Sequence, residues 1–232
     1  MALMVPRDMP TTGAALQAFE VQRVDYHAPE AGGTQGGVQA GFPLWAASWT
    51  IGRIGEDRSD LWRAWFTRMR GSQRRFLARD LRRPYPKLYP GGFTGLSRPS
   101  GGGFNGAAAS WSVAIDVEGD CLLTLNDLPA GLLLSLGDYV GFRWDDPAGS
   151  AGNWYRRALV RVIEPATADG TGKLVARVEP PVPSLVPPTA PAHLDQPACV
   201  MKMLSDQSNL DVIDRRGAIR GGTIVAVQDL RP

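Results

Sequence analysis

The sequence predicts a mainly β protein with one helix: a sheet carrying a single docked helix, followed by a small antiparallel barrel or sandwich. Three observations point there. Gly (27) and Pro (19) make up about a fifth of the 232 residues, a composition suited to short strands and shaped loops. One segment, Asp60 to Arg70, keeps a helical period over three turns. From Ala107 onward the pattern alternates almost throughout, broken by turn residues.

Taken in order, residues 1–16 contain Pro6 and Pro10 and keep no steady period, which reads as an arm. Ala18 to Tyr26 alternates as a strand, and the glycine pairs of Pro29 to Gly41 suggest a loop or hairpin tip. Leu44 to Ile51 places Trp45, Ala47, Trp49 and Ile51 on one face. Ser59-Asp60 opens the expected helix, residues 59–70. Its Leu61, Trp62, Trp65, Phe66 and Met69 share one arc of the helical wheel, and Gly71 supplies the left-handed residue that closes it. Gln73 to Arg79 extends again, with Phe76 and Leu77 on opposite faces.

Leu81 to Gly106 is a long irregular stretch anchored by Tyr85, Tyr89, Phe93 and Phe104. Loops this long are commonly functional or interfacial, and this one is expected to lie across a neighbouring subunit. Hairpins follow, with turns at Glu118-Gly119-Asp120, Leu136-Gly137-Asp138 and Asp169-Gly170-Thr171-Gly172. The prolines from Pro180 to Pro191 read as a stiff connector, and Ala198 to Leu204 and Gly222 to Asp229 as strands returning to the first sheet. The expected domains are 1–106 with 192–232 returning to it, 107–183 as the second β unit, and 184–191 as connector.

A net charge of +2 does not mark the whole chain for nucleic acid or membranes. Nine arginines nevertheless crowd between Arg58 and Arg83, against Asp60 and Asp80. Acidic residues gather at Asp116, Glu118, Asp120, Asp127 and Asp138, so copies of the chain could pair basic region to acidic. The favoured reading of the arginines is a subunit interface, where arginine is enriched. A nucleic-acid surface is disfavoured because Trp62 and Trp65 belong to the apolar helix face. No apolar run reaches signal-peptide or membrane-spanning length, so the expectation is a cytoplasmically made protein without a membrane anchor.

Local cues for catalysis are weak. His27 and His193 lack ligand-spaced partners, no G-x-S-x-G elbow exists, and the Asp pairs read as turn residues. Gly101 to Gly106 has no following Lys-Ser/Thr and leads into a strand, so it is a loop and not a phosphate cradle. No catalytic residue, metal or cofactor is expected. Cys121 and Cys199 sit among apolar neighbours and read as buried thiols, with pairing left open.

Phe42-Pro43-Leu44-Trp45-Ala46-Ala47, Trp62-Arg63-Ala64-Trp65-Phe66 and Arg70-Gly71-Ser72-Gln73-Arg74-Arg75-Phe76, with Leu136-Gly137-Asp138 and Pro180-Pro181 later, resemble the distal tail proteins of bacteriophage tail tips. The resemblance implies a tail-tube-like β-sandwich or split barrel with one flanking helix, and an outward second β domain. It implies a ring, usually a hexamer, joining the tail-tube protein to the hub or fibre proteins of a virion tail assembled in the host cytoplasm. The interface expected on that reading is Arg70, Arg74, Arg75, Arg79, Arg82, Arg83, Tyr85 and Tyr89. Replacing Arg74 and Arg75 with Glu is then expected to block ring formation and leave the monomer folded. Some relatives bind carbohydrate through the outer domain, which makes Trp144 and Trp154 candidate glycan contacts, with core packing the favoured reading for both. The alternatives are a host-glycan-binding module and, less favoured, a cell-wall hydrolase.

Overall fold

The computed structural model describes residues 6–29, 35–145 and 154–230. In chain order the strands are β1 (Arg7–Asp8), β2 (Ala14–Gln22), β3 (Asp25–Pro29), β4 (Gln35–Gln39) and β5 (Leu44–Ile51). Helix α1 (Glu56–Met69), a 3-10 turn (Gly71–Gln73) and β6 (Arg75–Ala78) follow. Then come β7 (Ser110–Ile115), β8 (Cys121–Asn126), β9 (Leu133–Leu134), β10 (Tyr139–Trp144), β11 (Arg156–Val162), β12 (Ala166–Thr167) and β13 (Leu174–Glu179). The last are β14 (Ala192–His193), β15 (Cys199–Met203), β16 (Asn209–Leu210) and β17 (Gly222–Gln228). Mainly β with one helix among the described residues is what the composition foretold. Residues 1–5 of the expected arm, Gly32-Gly33 of the expected tip, and Asn153, the first residue of a strand that the sequence pattern predicts over Asn153 to Ile163, lie outside the described residues.

The chain divides into two compact units: residues 10–73 with 202–228, and residues 1–9 with 74–201 and 229–232. In the first, β5 lies between β2 and β17, antiparallel to both, and β16 pairs β17. The alternation in β5 is realised: Trp45, Ala47, Trp49 and Ile51 are buried. Phe19 of β2 packs on both tryptophans, at 5.2 and 6.2 Å between ring centres. Each buried indole removes about 200 Å² from water, worth roughly 5 kcal/mol as an upper bound. The strand expected over 18–26 is two: β2 ends at Gln22 and β3 pairs β4 as a hairpin. The last strand does return, β17 pairing with β5 from Gly222↔Ile51 to Val227↔Ala46.

Helix α1 starts three residues before the expected Ser59. Gly55 caps it, and Glu56 and Asp57 in its first turn complement the positive helix terminus. Ser59 is buried within that first turn. The buried stripe is Ser59, Trp62, Trp65 and Met69, with Trp62 and Trp65 edge to face at 5.7 Å. Leu61 sits about 100° from Trp62 on the wheel, past the stripe's edge, and is exposed. The left-handed closing residue is Arg70 (φ 51), whose N–H reaches the Thr67 carbonyl; Gly71 (φ 63) repeats the conformation.

In the second unit, six antiparallel strands run in the order β14-β10-β11-β13-β8-β7. The sheet closes on itself just before β7, where Ala107 bridges His193 and the Ala108 N–H donates to the Ala192 carbonyl at 2.9 Å. The interior is filled by the inward residues of every strand, among them Leu123, Leu125, Phe142, Trp144, Val160, Leu174 and Val178. Strands β1, β6 and β15 lie in that order, β1 parallel to β6.

Two expectations about this unit are corrected. The boundary falls at 73/74 and not 106/107, because the irregular stretch is anchored in the barrel core. Phe93 and Phe104 are buried there at 5.0 Å, with Tyr85, Tyr89 and Leu96 against them. The 184–191 connector is core as well: Val186 and Ala190 are buried, and the Ala190 carbonyl accepts the Trp111 indole N–H at 2.7 Å. Proline restricted this segment to extended and turn geometry, and its small apolar residues did the packing.

Candidate functional site

Residues 70–90 carry the cationic cluster that the sequence marked, and the structure sorts them by partner. Arg70 is exposed at the end of α1, and Arg74 is half-buried ahead of β6. The Arg75 guanidinium sits 3.3 Å from the buried Asp229 carboxylate. Arg79 donates to Asp8 at 3.2 Å and to the Gln196 amide oxygen. Arg83 donates to the Leu136 carbonyl at 2.7 Å and lies 3.5 Å from Asp138. Tyr85 and Tyr89 accept at their hydroxyls from the Gln196 amide and the Leu133 N–H. Five of the eight expected interface residues thus hold their own chain together. Arg82 stays exposed.

Asp138 organises the local fold. It is fully buried and accepts N–H groups from Lys87 at 2.9 Å and Ser135 at 2.7 Å. Burial pushes its carboxyl above the usual range, and the two amides and the Arg83 guanidinium pull the other way. Gly137 (φ 80) precedes it, and a Cβ there would stand 2.8 Å from an Arg83 nitrogen, so glycine makes the arginine's approach possible. This pinning folds 81–90 into a half-open cleft of about 440 Å³, edged by Arg82, Arg83 and Lys87 and walled by Pro84, Tyr85, Pro86 and Pro90. Beside these residues in sequence, Leu88 is 53% exposed, and Leu136, whose carbonyl holds Arg83, is 60% exposed. Lys87, Leu88 and Leu136 were missed from sequence. The signal available was Lys87-Leu88 enclosed by Pro86 and Pro90.

The acidic group is also engaged internally. Asp116, Glu118 and Asp120 bring their carboxylates within 4.8 Å of one another, around the Arg177 guanidinium at 3.0, 3.6 and 3.5 Å. Asp116 accepts the N–H groups of Glu118 and Asp120, both at 2.9 Å, which with Arg177 hold its carboxyl low. Asp127 is tied to Arg98 and Ser100. The acidic region expected to meet a second copy is therefore occupied by arginines of its own chain.

Trp144 is buried in the barrel core, so it presents no ring to a sugar. Trp154 is half-buried with the Arg143 guanidinium 5.6 Å from its ring centre. Trp62 and Trp65 are likewise buried and offer no stacking face to a base. Cys121 and Cys199 are free and buried, and burial raises both thiols. Among the described residues, no helix is long and apolar enough to cross a membrane. No protein-family model matches the chain, and no curated protein matches it in sequence.

Proposed function

We propose that this chain is a non-enzymatic structural protein of a phage tail tip, a ring-forming adaptor that contacts copies of itself, the tail tube and the hub or fibre proteins. The observation that carries the reading is the 81–90 cleft: exposed Arg82 and Lys87 next to exposed Leu88, on a backbone pinned by buried Asp138. Arginine and apolar side chains on a fixed backbone are the ingredients of a protein interface, because little ordering entropy is lost on docking. The resemblance in the Trp-rich and arginine-rich segments supports the same reading, as does the mainly β architecture with one helix.

A closed ring requires head-to-tail contacts between unlike surfaces. The expected result is a discrete oligomer by light scattering that loosens as salt rises, since exposed charges are screened, and ring-shaped particles by electron microscopy. The Arg82→Glu variant should keep the wild-type far-UV spectrum and melting temperature and lose the oligomer. A ring of unchanged mass in that variant would remove the cleft from the interface; a monomer at every concentration and salt would remove the self-assembling ring.

A further inference from the structure

We infer that the outer face of β10, β11 and β14 is an oxyanion-binding site built from Arg143, Arg157 and His193. The register puts them together. Arg143 and Arg157 are direct cross-strand partners, and His193 pairs with Gly141, two residues before Arg143 and on the same face. Cross-strand partners stand about 5 Å apart at Cα, and i, i+2 neighbours about 7 Å. The imidazole lies over Gly141: a Cβ there would stand 2.8 and 2.9 Å from its Cε1 and Nε2. Glycine at 141 therefore lets the ring reach across β10 from β14.

His193 and Arg157 are buried and Arg143 is half-buried, its guanidinium over the Trp154 ring. His193 is 3% exposed and Arg157 9%. Among the described residues, Nε of Arg143, Nε of Arg157 and both ring nitrogens of His193 have no hydrogen-bond partner. The backbone of Pro191 and Gly141 lies near the imidazole and favours its charged form, short of hydrogen-bond geometry. Like charges directly opposite across a sheet repel, and an uncompensated buried charge costs several kcal/mol. Among the described residues, the acidic neighbour of Arg157 is Asp8, but that carboxylate is 71% exposed and already pairs with Arg79 at 3.2 Å. Water screens it, so it is a poor counter-ion for the buried Arg157.

The unfilled donors define the ligand. An Nε–H on each of two arginines and an imidazole N–H suit the oxygens of a phosphate or a carboxylate, to which arginine donates charge-assisted hydrogen bonds. The burial admits a small group: a free ion such as inorganic phosphate, or the carboxylate at the tip of a neighbouring chain's side chain. The site does not depend on the ring proposal, since a free ion would fill it in a monomer.

The test follows melting temperature and mass together, against inorganic phosphate at constant ionic strength and against protein concentration. Phenylglyoxal modification of the wild-type protein, mapped by mass spectrometry, is the second readout and needs no variant. A free ion predicts a melting temperature several degrees higher in phosphate at constant mass, with Arg143 and Arg157 protected and exposed Arg82 still modified. A neighbour's carboxylate predicts that melting temperature and mass rise with protein concentration, that phosphate reverses the rise in mass, and that Arg143→Met abolishes it. A melting temperature flat in both series, with Arg143 and Arg157 unprotected by phosphate, would overturn the site.

Discussion

His193 should make this protein lose stability on mild acidification, by an amount that follows from its surroundings. Burial, with Arg143 and Arg157 adding to it, pushes the imidazole down to about 3, against about 6.5 in an unfolded chain. A depressed histidine binds its proton in the unfolded state first, so stability is full above about pH 6.5 and falls as pH drops toward 3. In that window unfolding takes up one proton, giving a slope approaching 1.36 kcal/mol per pH unit. Integrated from about pH 7.5 to about pH 5, the loss is about 2 kcal/mol. Asp116, Asp127, Asp169 and Asp214, all held low, add their losses only below about pH 4. Asp138, pushed up by burial, has the opposite slope. The measurement is urea unfolding across pH in phosphate-free buffer, for wild type and His193→Phe, whose difference curve isolates the one group. His27 is exposed in the β3–β4 hairpin. A wild-type curve flat between pH 7.5 and 5, or a variant with the wild-type slope, would refute the assignment of a neutral buried imidazole.

Two further outcomes rest on packing. Trp62→Phe removes the indole N–H that donates to the Thr12 carbonyl at 2.8 Å and leaves a small void in the stripe of α1; a loss of about 1–3 kcal/mol in urea unfolding is expected. Gly172→Ala meets two penalties, a left-handed backbone (φ 79) and a Cβ colliding with the Leu128 carbonyl oxygen. It should lose more than the roughly 1–2 kcal/mol of the conformation alone, read as a lowered urea midpoint with unchanged slope.

What was legible in the sequence was periodic. Trp45, Ala47, Trp49 and Ile51 fell on one strand face because alternation is a local property, and their burial follows it. The hairpin turns at 118–120, 136–138 and 169–172 were legible because Gly and Asp answer a local backbone demand. The domain boundary was not, since nothing local shows that Phe93, Phe104, Val186 and Ala190 fill the same barrel. The face shared by Arg143, Arg157 and His193 was hidden for a similar reason. His193 joins that face through a two-residue strand, Ala192–His193, paired to a segment 50 residues away, too short to leave a pattern.

The arginine-rich segment shows why clustering along a chain is weak evidence for a charged surface. Arg75, Arg79 and Arg83 find their carboxylates at Asp229, Asp8 and Asp138, each more than fifty residues away in sequence. Charge reversal at Arg74 and Arg75 is therefore the wrong probe of an interface. A glutamate at 75 would set a second carboxylate beside Asp229, whose side chain is buried. Unpairing a buried ion in this way costs about 3–5 kcal/mol, a large part of a domain's whole stability. That variant would lose its rings by unfolding, whatever surface makes them. Arg82 is exposed, and its reversal changes the surface potential while leaving Arg83, Lys87, Asp138 and the barrel core in place. A lost ring in a variant that still melts like wild type is the one result that separates an interface from a fold.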